Sequence, residues 1–256
     1  MSFYNLIYNW ALKHKEETMH LSYGRHILIQ WSKKFVEQNK NQKQNYKILD
    51  IGCGEGDDLI NIADEIKKKN CSSELYGIEY YEKYRNVCLK KGILTNDVNI
   101  ERDPFPYKDN FFDIITINQV TEHIKEIFYV YSEISRILKK GGLLIVGVPN
   151  LAAYHDRFSL LLGQEPTSNK VLGPHVRGIT YPGFKKFIES ENFFKLVQVK
   201  GSGFYPFSER MSLFLSKLFP TLSTAIFFKI IRKDKSGTFS EVLEKHFFET
   251  NYYKGS

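Results

Sequence analysis

From Lys47 onward the chain alternates short apolar runs with stretches whose apolar residues recur at helical spacing. "YKILDI" (46–51) reads as a buried strand. "DDLINIADEIKKK" (57–69) reads as a helix, apolar at Leu59, Ile60, Ile62, Ala63 and Ile66. "ELYGIEY" (74–80) is a second strand, and "YEKYRNVCLKKG" (81–92) a helix closing at Gly92. "VNI" (98–100) predicts a brief third strand and "FFDIITINQ" (111–119) a fourth. The helix "IKEIFYVYSEISRILKK" (124–140) then stops at Gly141-Gly142, and "LLIVGVP" (143–149) is a fifth strand. Strands of this length interleaved with helices predict βαβ units and a parallel sheet covered on both faces.

The flanks read differently. Before the sheet, Phe3, Leu6, Ile7, Trp10 and Ala11, then "HILIQWSKKFVEQ" (26–38), predict helix, and the polar "NKNQKQN" (39–45) ends it. After the sheet, the long segment 150–180 holds one helical piece and two His-x-Arg pairs. Helix resumes at "YPGFKKFIESENF" (181–193), with a strand at "FKLVQVKG" (194–201), a helix at "SERMSLFLSKLF" (208–219) and a last strand at "TAIFFKIIRK" (224–233). Residues 211–231 are apolar enough to raise a membrane anchor. Serines, Pro220, Lys217 and Lys229 interrupt them short of the roughly 20 apolar residues a span needs, so no transmembrane segment is expected. The tail 236–256 carries no readable chemistry.

Composition narrows the class. With 42% hydrophobic and 25% charged residues, the 256-residue chain has the make-up of one soluble domain with a sizeable core. Cys53, Cys71 and Cys88 show neither paired nor metal-ligand spacing, and the first residues lack a signal peptide's pattern. A reducing cytoplasm is the expected location. The net charge of +7 comes from scattered lysine pairs with no nucleic-acid recognition motif, so they read as solvated faces.

The chemistry begins at "KILDIGCGEGDDL" (47–59). Glycines between a strand and a helix free backbone N–H groups and let a ligand come close. A dinucleotide loop needs glycine at the sixth position of G-x-G-x-x-G, but counting from Gly52 gives Asp57 and counting from Gly54 gives Leu59. The spacing is G-x-G-x-G, at Gly52, Gly54 and Gly56, among the acids Asp50, Glu55, Asp57 and Asp58. Such company is poor for a pyrophosphate and acceptable for a ligand that carries positive charge.

With "ILDIGCGEG", an acid (Glu79) closing the second strand, and "PFPYKDNFFD" (104–113) leading into the fourth, the chain resembles the class I S-adenosylmethionine-dependent methyltransferases. The resemblance is close over 45–150 and looser to 232. "HVRGIT" (175–180), "VPN" (148–150) and "GSGFYP" (201–206) are similar to segments of bacterial members encoded with surface-polysaccharide (capsule or lipopolysaccharide) enzymes. It implies a Rossmann-like, doubly wound, seven-stranded α/β sheet, mostly parallel with an antiparallel last strand. N-terminal helices (1–45) would cap a methyltransferase domain (46–235), with residues 150–182 inserted on the acceptor side. It also implies S-adenosylmethionine as donor and S-adenosylhomocysteine as product. Asp50, Gly52, Cys53, Gly54 and Gly56 would line the donor. Glu79 would accept hydrogen bonds from both ribose hydroxyls, with Tyr80 beside it. Asn99, standing where many relatives carry Asp, would meet the adenine amino group, with Ile100 and Glu101 beside the ring. Asn118 and Gln119 would lie near the sulfonium, and Tyr23 and Arg25 are candidates for the donor's carboxylate.

Methyl transfer from a sulfonium is an in-line displacement, accelerated by holding donor carbon and acceptor atom aligned. A hydroxyl acceptor needs a general base; a phosphate-type oxygen needs cationic clamps instead. His175 is the first candidate base and His123 the other. Arg177 suits an anionic acceptor group through its planar fork, with His155 and Arg157 as a second such pair. Tyr181 and Tyr154 can meet a sugar face. The expected acceptor is a small anionic or sugar-linked molecule. Rival readings are a nucleic-acid or protein methyltransferase, the former disfavoured because "NQVT" replaces the [DN]-P-P-[YF] motif of base-amino enzymes, and a non-catalytic donor-binding partner. No metal site is expected, since Glu122 with His123 is too small a ligand set.

Overall fold

The computed structural model describes residue 21 and residues 23–255. The helix expected on Phe3 to Ala11 lies outside the described residues, as do residues 1–20 of the expected cap. Seven strands form one sheet: β1 (Asn45–Ile51), β2 (Ser72–Ile78), β3 (Leu94–Asn96), β4 (Phe112–Asn118), β5 (Leu138–Pro149), β6 (Phe194–Ser202) and β7 (Ala225–Arg232). Their order is β3-β2-β1-β4-β5-β7-β6. Strands β1 to β5 pair in parallel, and β7 runs antiparallel to β5 and β6, as the sequence predicts.

Alternation along the strands builds two apolar layers. Leu49, Ile51, Ile115 and Ile117 face Val130, Tyr131 and Ile134 of α4 (Ile127–Ile137) and Phe184 and Ile188 of α6 (Tyr181–Ile188). On the other face Ile48 and Ile114 meet Leu28 and Trp31 of α1 (Arg25–Asn39) and Ile62 and Ile66 of α2 (Asp57–Lys67). Buried Asp113 ties the strand starts together. It accepts from Lys43 Nζ at 2.6 Å, Lys139 Nζ at 2.8 Å and the Lys47 N–H at 2.9 Å. The chain steps outward through β2, α3 (Glu82–Lys90) and β3, then returns to β4 beside β1. That reversal opens a crevice at the carboxyl ends of β1 and β4, where ligands of open α/β sheets bind.

Three expectations shift. The third strand is 94–96, not 98–100: Leu94 to Asn96 pair with Tyr76 to Ile78. Residues 99–103 form a turn instead, because Asn99 Oδ1 accepts from the Glu101 N–H (3.1 Å) and Asp103 Oδ2 from the Asn99 N–H (2.9 Å). The helix after β4 starts at Ile127, behind a 3-10 turn over Thr121–His123. Strand β5 starts at Leu138, before the two glycines, which sit at a shift of its register against β4.

The later elements are α5 (Tyr154–Leu161), α7 (Glu209–Leu218) and α8 (Val242–Lys245). The tail packs onto the body: Phe239 is fully buried, and Phe248 and Tyr252 meet Phe128. Among the described residues, no helix is long and apolar enough to cross a membrane.

Candidate active site

The glycine loop joins β1 to α2 through three left-handed residues, Gly52, Gly54 and Gly56. The N–H of Gly52 donates to Ile78 O (2.8 Å), which fastens the loop to the end of β2. Glu79, 8% exposed, stands at that end. One carboxylate oxygen accepts from the Gly54 N–H and the other from the Tyr81 N–H, both at 2.9 Å. The carboxylate is thus fixed against the loop, with each oxygen keeping a lone pair for a vicinal diol. A Cβ built on Gly54 meets nothing within 4 Å, so the loop faces open space there.

The walls of this crevice are acidic and under-satisfied. Asp50, 3% exposed, accepts from Thr116 Oγ1 at 2.7 Å. Burial, with Asp58 close by, pushes its carboxyl up to about 8. Asn118 Oδ1 is buried without a hydrogen-bond partner, and Asp58 Oδ1 has only the Arg25 ion pair. Arg25 lies 3.3 Å from Asp58 and 3.6 Å from Asp57, so it is held by the acids that open α2. The Tyr23 carbonyl accepts from Asn118 Nδ2 at 2.9 Å. Acidic walls and the unpartnered Asn118 oxygen fit a ligand with an ammonium and a sulfonium, and fit a pyrophosphate badly.

The remaining donor-side residues spread along the rim. Tyr80 is 73% exposed beside Glu79. Cys53 is buried with its Sγ 3.9 Å from Cys88 Sγ, and burial pushes its thiol pKa up strongly. Gln119 adopts φ 57° and donates its N–H to Gly147 O at 2.8 Å. Ile100 packs partly buried on the main core, while Asn99 closes the turn described above. Glu101 accepts from the Lys125 and Glu126 N–H groups ahead of α4. Arg136 holds "PFPY" in place through the Phe105 and Tyr107 carbonyls (2.9 and 2.7 Å).

On the acceptor side, the insert folds back onto the turn after β4. The Val176 and Arg177 N–H groups donate to Glu122 O at 2.9 and 3.1 Å. Arg177 Nε donates to Ile124 O at 2.7 Å and Nη2 to Lys125 O, so the guanidinium clips the insert down. The rings of His123 and His175 come together, centroids 4.8 Å apart. His123 Nδ1 lies 3.1 Å from Pro174 O, and His175 Nδ1 2.7 Å from Ser168 O. A carbonyl only accepts, so both Nδ1 atoms carry a hydrogen, and in the neutral form of each ring the lone pair sits on Nε2. Glu122, 2% exposed, lies beside them with Oε1 3.9 Å from His123 Nε2, and burial pushes its carboxyl up to about 7.

The other candidates stand apart from this cluster. His155 Nε2 bonds Thr167 Oγ1 at 2.9 Å and its ring meets Tyr205. Arg157 Nε donates to Ala152 O at 2.8 Å. Tyr181 begins α6 against the core, and Tyr154 stacks on Phe204. Sequence reasoning missed Asp156. Fully buried, it accepts from the N–H and hydroxyl of Thr167 (2.6 and 2.8 Å) and from the hydroxyl of Ser168 (2.5 Å). It thereby fixes the carbonyl that orients His175. An acid inside a His-x-Arg pair gave no separate signal.

A seven-stranded sheet with β7 reversed, with a glycine loop pinned to Glu79 after β1, is the Rossmann-like fold of the class I S-adenosylmethionine-dependent methyltransferases. Residues 34–197 match the family of methionine biosynthesis protein MetW, and the chain belongs to that family. It is 25% identical over 146 residues to demethylmenaquinone methyltransferase of Staphylococcus aureus strain MRSA252, a match covering 55% of this chain and 58% of that protein. The chain thus spans little more than half the length of the curated relatives it matches. In fold it is similar to a methyltransferase of Thermotoga maritima described as a possible histamine N-methyltransferase, with TM-score 0.53, 18% identity and coverage of 90% and 96%. It is also similar to the [4+2]-cyclase SpnF, with TM-score 0.51, 15% identity and coverage of 80% and 81%. By family and fold the chain belongs with the S-adenosylmethionine-dependent methyltransferases, in which the donor supplies an electrophilic methyl group on sulfur. Its acceptor is not named by these likenesses.

Asp50 gives this site a pH signature. A carboxyl raised to about 8 from an unfolded value near 4 binds a proton in the folded state that the unfolded chain has lost. Stability therefore falls as pH rises through that window. A cationic donor favours the ionised form, so binding below pH 8 is expected to release a proton and to tighten by up to about tenfold per unit as pH rises. Titration calorimetry in buffers of different ionisation heat reads that proton. Asp50→Asn is expected to abolish the release.

Proposed function

We propose that this enzyme methylates an oxygen of a small, sugar-type acceptor, a surface-glycan precursor such as a sugar, a nucleotide-linked sugar or a phosphate-bearing decoration. The observation that carries the oxygen assignment is the His123–His175 pair, whose Nδ1–H groups are spent on backbone carbonyls. Each Nε2 is left to take a hydroxyl proton, His175 first because its anchor, Ser168, is itself held by buried Asp156. Support for a sugar-type acceptor comes from the resemblance carried by "HVRGIT". A cytoplasmic precursor suits such an acceptor.

A second reading is an amphiphilic acceptor. It is favoured by Leu160, Leu161, Val171 and Leu172 on the insert, each at least half exposed, and by the quinone-named relatives. Isotope-labelled S-adenosylmethionine, offered with nucleotide-linked sugars, sugar phosphates and demethylated quinones, separates the two by which product carries the label. With the accepted substrate, His175→Gln is expected to lower kcat by about 10²–10⁴-fold while donor affinity stays within a few-fold. Unchanged kcat would remove the base assignment. Label on a quinone carbon would remove the oxygen acceptor altogether.

A further inference from the structure

We propose that Glu122, His123 and His175 together hold one divalent transition-metal ion, which receives the acceptor's oxygen. The purpose of the ion rests on the methyl-transfer reading above; its site rests on geometry alone. One ligand atom from each of the three residues lies within 4.8 Å of the other two. The sequence offered only the Glu122-His123 pair, because His175, 52 positions after His123, is brought in by the fold of the insert.

Three independent features point to a cation. Both imidazoles donate Nδ1–H to a backbone carbonyl, Pro174 O and Ser168 O, which is the outer-shell arrangement that orients metal-ligating histidines and leaves Nε2 to ligate. Glu122 is 2% exposed and its Oε2 has no hydrogen-bond partner. A buried carboxylate oxygen left that way is costly unless a positive charge meets it. The two segments are also fastened to each other, through the Val176 and Arg177 N–H groups on Glu122 O and Arg177 Nε on Ile124 O. The ligands are therefore held before any ion arrives.

An ordinary Glu–His ion pair accounts for less. Such a pair closes to about 2.7–2.9 Å, whereas Glu122 Oε1 and His123 Nε2 stand 3.9 Å apart. A gap of that size fits an intervening ion. Bonds of about 2.0–2.2 Å would draw the three ligand atoms to roughly 3.0–3.6 Å from one another, a closing that side-chain torsions supply. Two imidazoles and one carboxylate favour zinc, iron, cobalt or nickel over magnesium or calcium, which prefer all-oxygen shells.

Three protein ligands leave positions open. An acceptor hydroxyl there becomes more acidic, as water does on a catalytic zinc. Its proton passes to bulk water. The carbon–sulfur bond of the sulfonium breaks as the oxygen–carbon bond forms, and the electron pair stays on sulfur. One positive charge leaves the donor and one proton appears in solution. With the ion bound, both Nε2 atoms are ligands, so the ion takes the place of the imidazole base in activating the same hydroxyl, and the loss of kcat in His175→Gln then reports loss of the ion.

The test uses full-length protein without a histidine tag, stripped with a chelator and titrated with Co²⁺ while visible d–d absorption is recorded. One Co²⁺ per chain is expected, displaced by Zn²⁺. Glu122→Gln and His175→Gln are expected to weaken binding by about 100-fold or more. Should Glu122→Gln fail to fold, His123→Gln, whose side chain is 42% exposed, takes its place. Less than roughly a tenth of an ion per chain, or equal affinity in the variants, overturns the proposal. S-adenosylhomocysteine is titrated into the same samples. Binding of it without Co²⁺ removes the ion and leaves the methyltransferase reading intact; Co²⁺ bound without it does the reverse.

Discussion

Glu79→Ala is expected to weaken binding of S-adenosylhomocysteine by about 100-fold or more while leaving the chain folded. Hydrogen bonds to a charged group contribute about 1.5–3 kcal/mol each, and the ribose offers two hydroxyls to one carboxylate. The same substitution frees the N–H groups of Gly54 and Tyr81, which loosens the loop that shapes the crevice. Glu79→Gln tests the need for two acceptor oxygens at unchanged size. Its amide keeps the shape but presents an NH₂ to at least one of two N–H groups that now meet an oxygen, so a large loss is expected there too. Calorimetry reads both variants, and circular dichroism checks that they fold. A loss under threefold in Glu79→Ala would mean that the ribose is held elsewhere.

The second large effect is a contrast between two glycines of one loop. At Gly52, φ is 75° and an added Cβ would lie 2.5 Å from a Val120 methyl. Left-handed backbone costs a non-glycine residue about 1–2 kcal/mol and overpacking about 1–3 kcal/mol. Gly52→Ala is therefore expected to lower Tm by about 5–15 °C in a chain of this size and to lose donor binding with it. At Gly54, φ is 52° but an added Cβ meets no protein atom within 4 Å. Gly54→Ala should cost stability only through the backbone, about 1–2 kcal/mol, yet reduce donor affinity more than about tenfold by filling space beside the ligand. Thermal melts with and without S-adenosylhomocysteine distinguish the two. Equal behaviour of the two variants would contradict a donor seated against Gly54.

The sheet was legible because its signals are local. "ILDIGCGEG" and "FFDIITIN" carry strand and loop chemistry within a few residues, and both stand where the periodicity puts them. The third strand was misplaced because "LTN" and "VNI" are equally short and weakly apolar; pairing with Tyr76 to Ile78 decided between them. The break at Ile124 to Glu126 was hidden for a similar reason. It is set by Glu101, whose carboxylate takes the N–H groups of Lys125 and Glu126 from 24 and 25 positions away. On the acceptor side the individual residues were visible but their company was not. His175 and Arg177 looked alike in "HVRG", yet one ring meets His123 while the guanidinium is taken up by backbone carbonyls. Histidine and arginine at fixed spacing say nothing about which carbonyls a folded insert will offer them.

The claim on which everything else depends is that the crevice lined by Gly54 and Glu79 holds S-adenosylmethionine. Titration calorimetry of the unaltered protein with S-adenosylhomocysteine tests it most directly, with NADH as the comparison ligand. The expected result is saturable binding of one S-adenosylhomocysteine per chain, weakened about 100-fold or more in Glu79→Ala, and no binding of NADH. Saturable NADH binding, or S-adenosylhomocysteine binding that Glu79→Ala leaves unchanged, would contradict it.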